Sequence, residues 1–380
     1  MPKIAIITNI IPSYRQGLYD RLIEAYGNQI TIYCHGTSDM NLVTIHERYA
    51  PNVKQVSYLG LSKETFGWQL LPFLEMRQYD VVFVYGNPRL LSNVVVSFLL
   101  KLLKKPIVIW GQAHTAGANP WSEGLRLLWW RYFRNILAYN DSEVEWLSAK
   151  GFRRSNLIGM NNGLDQNKID TAREQWPPER LEQWKRAKSV HGRNLFLSCA
   201  RLVSKNRFED AIAMLAQLAD RGFAPLWAVV GSGPEENRLK DLAQSKGVAR
   251  QIIWVGALYE EMELAPWFLS ADLFIHPSAI GLSLLHAMGY GLPVITQSDR
   301  AKQMPEFSAF IDGETGLLFK PEDIVNFTDQ TLALLVNQER RHQMGYKAQH
   351  IARTQYNTDA MARRFQLMAA RAIAGKQTLQ

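Results

Sequence analysis

A chain of 380 residues exceeds one ordinary domain and fits two of roughly 150–200 residues each. An apolar fraction of 47% with 21% charged residues excludes extended disorder, and two cysteines, Cys34 and Cys199, exclude a disulfide scaffold and point to a reducing cytosol. The net charge of +8 suits nucleic acid, phosphorylated ligands, an anionic membrane face or a plain solvated surface, so local detail has to choose among them. The opening run KIAIITNIIP reads as a strand and not as a secretory leader, and no apolar run reaches the ~18 residues that span a bilayer.

In chain order, short apolar β-rich runs alternate with helical patterns. Strands are expected at 3–9, 30–34, 80–85, 106–110, 136–140 and 156–159, with helices at 15–26 and 90–104 among them. Polar, charged residues 171–192, with Pro177-Pro178, interrupt the apolar periodicity and predict an interdomain connection. The strand pattern then restarts at 194–200, 225–230, 251–256, 272–277, 293–296 and 316–319, and helices 323–336, 339–355 and 359–374 close the chain. The expectation is an α/β protein of two Rossmann-like, doubly wound domains: 1–165, a linker 166–192, a second domain 193–356, and a C-terminal helix within 357–380 that packs on the first domain. Such sheets bind ligands at the carboxyl ends of their strands.

Three stretches of the second half carry candidate chemistry. Arg201 and Lys205 follow the domain-opening strand, where a planar fork and a point charge four residues apart can converge on a diphosphate; two solvated surface charges are the alternative. Val230-Gly231-Ser232-Gly233-Pro234 ends the next strand, and a plain strand-to-helix turn explains it better than a phosphate loop. In HPSAIGLSLLHAMGYGL (276–292), a helix starting near Gly281 leaves amides around Gly281–Ser283 to form an anion site, with Ser283 and His286 on one face. A lone helical His is more often packing than chemistry, but this one shares its face with the expected phosphate site.

Taken together, ARLVSKN, VVGSGPEENRLKDLA, WVGALYEEMELAPWFLSADLFIHPS, GLSLLHAMGYGLPVIT and IDGETGLLF resemble, in order and separation, the nucleotide-binding domain of retaining GT-B glycosyltransferases of the family 4 type. The resemblance covers about 165–320 well and the first half more loosely, through PSYRQGLYDRL, VYGNPRLLS and NNGLD. It implies a GT-B fold, its two domains facing a central cleft, with an acceptor-binding first domain and a donor-binding second one. It implies that Arg201 and Lys205 hold the donor diphosphate, with donor contacts from Gly231, Ser278, Ala279, Ile280, Gly281, Leu282, Ser283 and His286. The family's E-x(7)-E glutamates, one beside the donor sugar and one on the ribose, fall on Ser278 and His286, so this chain lacks both. In a front-face retaining reaction the leaving diphosphate itself assists the acceptor hydroxyl, and the protein mainly stabilises charge growing on that diphosphate.

On the first domain, Arg15 and Gly17 precede or open a helix and are acceptor-site candidates; an exposed helix-start Arg is the alternative for Arg15. His114 follows a strand end where relatives place a His near the donor sugar, against an ordinary loop His. Residues 120–134, PWSEGLRLLWWRYFR, read either as a basic aromatic helix on an anionic membrane or as a helix packed inward with wet arginines. These readings converge on a cytoplasmic, metal-independent, retaining hexosyltransferase, which the first reading of 120–134 would put at the inner face of the cell membrane and the second would not. It would use a nucleotide diphosphate sugar, with no cofactor and no nucleic-acid partner, to extend a sugar or polyprenyl-diphosphate-linked acceptor in surface polysaccharide or glycolipid assembly. A sugar-nucleotide 2-epimerase and a non-catalytic donor-binding subunit are the rival readings.

Overall fold

The computed structural model describes residues 1–36, 44–60, 66–114 and 120–377. The chain divides into two compact units, 1–162 together with 358–380, and 163–357.

Among the described residues the first unit has nine strands: β1 Ile4–Ile7, β2 Ile30–Cys34, β3 Val53–Gln55, β4 Tyr58–Gly60, β5 Gly67–Gln69, β6 Val81–Tyr85, β7 Ile107–Gly111, β8 Ile136–Ala138 and β9 Leu157–Gly159. Seven of them form a parallel sheet in the order β3-β2-β1-β6-β7-β8-β9, and β4 and β5 pair as a separate antiparallel ribbon. The central strands are continuous apolar runs because helices cover both faces of such a sheet. Strand order reverses between β1 and β6, which opens a crevice at their carboxyl ends.

The expected C-terminal helix spans Thr358–Gln377 and belongs to this unit. Met361, Phe365, Met368, Ala369 and Ala372 recur at helical spacing and are buried together with β1 and β6 residues. Phe365 stacks on Phe83 with ring centroids 3.8 Å apart, and Arg364 donates to Asp141 at 2.8 Å and to the Gly159 carbonyl at 2.7 Å. Burying the Phe365 side chain alone contributes about 2–3 kcal/mol.

The second unit carries β10 Leu195–Cys199, β11 Leu226–Val230, β12 Ile252–Gly256, β13 Leu273–His276, β14 Val294–Gln297 and β15 Gly316–Phe319. They form one parallel sheet in the order β12-β11-β10-β13-β14-β15, the doubly wound order with its reversal between β10 and β13.

Residues 166–192, expected as a linker, fold as two helices of this unit, Gln166–Glu174 and Pro178–Ala187. Pro178 sits in the first turn of the second helix, where its fixed φ favours a start instead of a break. Trp184 anchors that charged helix by an edge-to-face contact with Trp267 at 4.7 Å. Cys34 and Cys199 are free thiols at the ends of β2 and β10. Among the described residues no helix is long and apolar enough to cross a membrane.

Candidate functional site

In the second unit the expected donor residues gather at the β10–β13 reversal. The chain leaves β10 through Ala200 and Arg201, and Lys205 lies in a single 3-10 turn, Ser204–Asn206. Asn206 ties that turn down by donating to the Arg201 carbonyl at 2.7 Å. Both Arg201 and Lys205 are exposed, and among the described residues neither forms an ion pair. The neighbouring Arg207, by contrast, is held by Asp210 at 2.7 Å. The Lys205 charge reaches His276 at the end of β13: burial first, then Lys205, lowers that imidazole to about 4 and keeps it neutral.

Gly231 and Gly233 serve loop packing. Gly231 has φ 142°, and a Cβ there would run into the Ala200 carbonyl oxygen; one at Gly233 would meet that of Leu202. The Gly231 amide is already used, donating to the Gly256 carbonyl at 2.8 Å. Gly231 therefore supplies close approach of two loops, with its amide already bonded inside the unit.

After β13, Ser278 and Ile280 are buried and Ala279 takes a left-handed φ of 53°, unusual for a residue with a Cβ. Gln303 fixes this turn by accepting from the Ile280 amide at 2.8 Å while donating to the Thr296 hydroxyl and the Gln297 carbonyl. Gly281 then caps the helix Leu282–Tyr290, so the Leu282 and Ser283 amides precede its first internal bonds, as expected. A carboxylate unforeseen from spacing lies beside them: buried Glu306 comes within 3.7 Å of where a Gly281 Cβ would sit.

His286 is on the expected helix but is committed. Its Nε2 pairs with Glu261 Oε1 at 2.8 Å, and the Tyr290 hydroxyl donates to the same oxygen at 2.6 Å. Phe268 covers the imidazole at 4.3 Å. Glu261 opens the helix Glu261–Ser270, where the helix dipole favours a negative charge. Burial works to raise its pKa, but hydrogen bonds from His286 and Tyr290 with the His286 and Lys168 charges outweigh it, so the carboxyl ionises below its ordinary range. Its charge helps burial push the Cys199 thiol at the end of β10 up to about 12, which places Glu261 at the same sheet edge. His286, Tyr290 and Glu261 thus form one hydrogen-bonded cluster centred on Glu261 Oε1.

In the first unit, Gly17 is buried inside the helix Gln16–Tyr26, and Arg15 is buried against Tyr14, Trp110 and Tyr139 instead of lying exposed at the helix start. His114 is exposed, its Nδ1 2.7 Å from Glu123. Its backbone is fixed by Glu143, whose carboxylate accepts from the amides of Ala113, His114 and Tyr139 at 3.0, 3.2 and 2.9 Å. Burial nonetheless pushes Glu143 up to about 6, against the lowering effect of those amides.

A carboxyl raised from 4.5 to about 6 in the folded protein binds its proton more tightly than in the unfolded chain. Its contribution to stability is therefore greatest below the unfolded value and falls, by about 2 kcal/mol in all, as pH rises through 4.5 and on past the folded value of about 6. Urea denaturation across that window should show this fall in the wild type and not in Glu143→Gln; equal slopes in both would assign it to other groups.

The helix Pro120–Trp130 and the turn after it bury one face and expose the other. Trp129, Trp130 and Phe133 pack inward, with Trp129 donating to Ser97 and Trp130 to the Gly86 carbonyl. Trp121, Leu125, Leu128 and Tyr132 remain exposed at helical spacing, and Val95, Leu99 and Leu102 of the helix Leu91–Leu102 are exposed as well.

Residues 180–351 match the family described as Glycosyl transferases group 1. Among curated proteins the chain is 26% identical over 194 residues to a GDP-mannose-dependent alpha-(1-6)-phosphatidylinositol monomannoside mannosyltransferase of Mycolicibacterium smegmatis, covering 48% of this chain and 50% of that protein. It is 30% identical over 144 residues to the sulfoquinovosyl transferase SQD2 of Arabidopsis thaliana, covering 37% of this chain and 27% of that protein. The chain thus matches half or less of the length of these relatives. Among solved structures, Anabaena Alr3699/HepE in complex with UDP superposes with a TM-score of 0.74 at 14% identity, covering 97% of this chain and 100% of that one. Residues 180–351, within and just short of the whole second unit, are thus similar to the Glycosyl transferases group 1 family, and the two parallel-sheet units share the fold of the HepE structure.

Proposed function

We propose that the protein is a retaining glycosyltransferase that moves a hexose from a nucleotide diphosphate sugar to a sugar acceptor, lipid-linked in surface polysaccharide or glycolipid assembly. The observation that carries this reading is the pair Arg201 and Lys205, two exposed cations with no ion-pair partner among the described residues, at the strand-order reversal of the unit similar to the group 1 family. A protein relieved of catalysis has little need for such a pair, and an epimerase needs acid and base groups at Ser278 and His286, where this chain has neither carboxylate. The complexes of HepE with UDP and UDP-glucose and the phosphatidylinositol mannoside named for the mycobacterial relative support a nucleotide sugar donor and a glycolipid acceptor.

In this reading the bond from the sugar C1 to the diphosphate oxygen breaks while the acceptor oxygen bonds to C1 on the same face. The acceptor proton passes to the departing diphosphate. Arg201 and Lys205 stabilise the charge that grows there, so no metal ion is required. Glu261, oriented by His286 and Tyr290, accepts from the nucleotide ribose, a role carboxylates take in doubly wound sheets. The first unit holds the acceptor. The exposed apolar residues of 91–102 and 120–134, flanked by Lys101, Lys104, Arg131 and Arg134, rest on the anionic inner face of the cell membrane.

The test is a panel of nucleotide sugars incubated with the pure protein, with and without EDTA and with and without anionic vesicles carrying membrane lipid. Release of nucleoside diphosphate from one donor, unaffected by EDTA and increased by vesicles, is the expected result. An altered sugar with no acceptor added would establish the epimerase reading, and binding without turnover under every condition would establish the subunit reading.

A further inference from the structure

Arg15 is a buried cation that the fold does not neutralise. It is 9% exposed, and its guanidinium lies 5.8, 5.6 and 5.3 Å from the ring centroids of Tyr14, Trp110 and Tyr139. Its Nε is enclosed and has no hydrogen-bond partner, and among the described residues no Asp or Glu pairs with it. The Tyr139 hydroxyl is the side chain within hydrogen-bonding reach. Arg341 of the second unit is equally buried, at 8%, but is fully engaged by the Leu334 and Leu335 carbonyls and by Asp272. Arg15 differs from it in kind, because aromatic faces attract a cation without supplying a counter-charge or an acceptor for its N–H groups.

The location is equally specific. Arg15 follows β1, Trp110 lies near the end of β7, Tyr139 directly follows β8, and the Arg15 charge reaches Tyr85 at the end of β6. The side chain therefore lies at the carboxyl edge of the first sheet, at its own β1–β6 reversal, where doubly wound sheets bind ligands. Rings packed around a guanidinium fix its plane and leave its N–H fork to meet a planar or tetrahedral oxyanion.

We propose that Arg15 and its aromatic cage form an anion-binding site in the first unit, seating a phosphate or carboxylate group of the sugar acceptor. The assignment to the acceptor rests on the transferase reading; the anion site does not.

The experiment uses the full chain with Arg201→Ala and Lys205→Ala in place, which removes the other anion-binding pair through two exposed positions. Inorganic phosphate and pyrophosphate should raise the melting temperature of that protein. Adding Arg15→Gln should abolish the rise, and adding Arg15→Lys, which keeps the charge and loses the fork, should weaken the apparent affinity about tenfold. The Lys variant serves where the Gln variant does not fold. No anion-dependent rise before Arg15 is touched, or an undiminished rise in both Arg15 variants, overturns the site, and turnover by the unmodified protein would then leave the transferase reading standing.

The source of the anion is read by kinetics of Arg15→Lys in the otherwise unmodified chain. A raised KM for a phosphate- or carboxylate-bearing acceptor with an unchanged donor KM supports the acceptor. A raised donor KM alone overturns that assignment in favour of the donor diphosphate. Anion-dependent melting in a chain that transfers no sugar keeps the site and removes only its assignment to an acceptor.

Discussion

Lys205→Ala should lower turnover by about 10²–10³ and leave the melting profile unchanged. The two halves of this expectation have separate physical grounds. Lys205 is exposed and carries no ion pair among the described residues, so truncation removes no internal bond and opens no cavity. In the proposed reaction its ammonium acts where charge develops, on the diphosphate that departs, so its loss is expected to raise the barrier more than it weakens ground-state binding. Arg201→Ala should act similarly and Arg201→Lys in part, because a point charge replaces a planar fork. The double variant should fall short of the product of the two single effects, since both groups serve one leaving group. Nucleotide release from the preferred donor, with melting followed by circular dichroism, makes the comparison. Unchanged turnover in Lys205→Ala would remove the diphosphate assignment, and a lowered melting temperature would make Lys205 structural.

The fold was legible because its signals are local. Apolar runs such as ITIYC and LFLSC can only be strands of a sheet covered on both faces, and their restart after residue 193 marks a second sheet. Strand β3, three residues with Val53 as its one apolar member, offers no such run and escaped notice. The charged stretch around Pro177-Pro178 looked like a connection because proline marks a helix start and a chain break with the same letter.

At the candidate site, the loops after β10 and β13 were legible for the same local reason. What lay hidden came from elsewhere in the chain. Glu261 meets His286 from a helix 25 residues earlier, and Glu306 reaches Gly281 from a turn 25 residues later. Counting eight residues along the chain finds Ser278 and His286 and stops there. Arg15 was visible as a cation near a strand end, but its cage draws Trp110 and Tyr139 from distant strands.

Glu261 carries the second large expectation. Its Oε1 holds two donors, the His286 ring and the Tyr290 phenol, while burial and the Glu261 charge keep that phenol protonated and donating. A carboxylate so held is ionised and fixed in direction, with its second oxygen left to accept from a vicinal hydroxyl. Glu261→Gln should therefore weaken nucleoside diphosphate binding by roughly 10- to 100-fold, the range of a hydrogen bond to a charged group. The same variant should erase the preference of the protein for the nucleoside diphosphate over its 2′- and 3′-deoxy forms, because the partner of the missing hydroxyl is then weakened already. A purely structural Glu261 would lower stability and leave that preference intact, so calorimetric titration with the three ligands separates the roles. The pH dependence has the opposite sign to that of Glu143. A folded-state pKa held below the ordinary 4.5 contributes stability that is present above that value and is lost as pH falls through the folded one. Acid denaturation of Glu261→Gln should accordingly lack part of the wild-type loss below pH 4.5, whereas Glu143→Gln alters the slope above it.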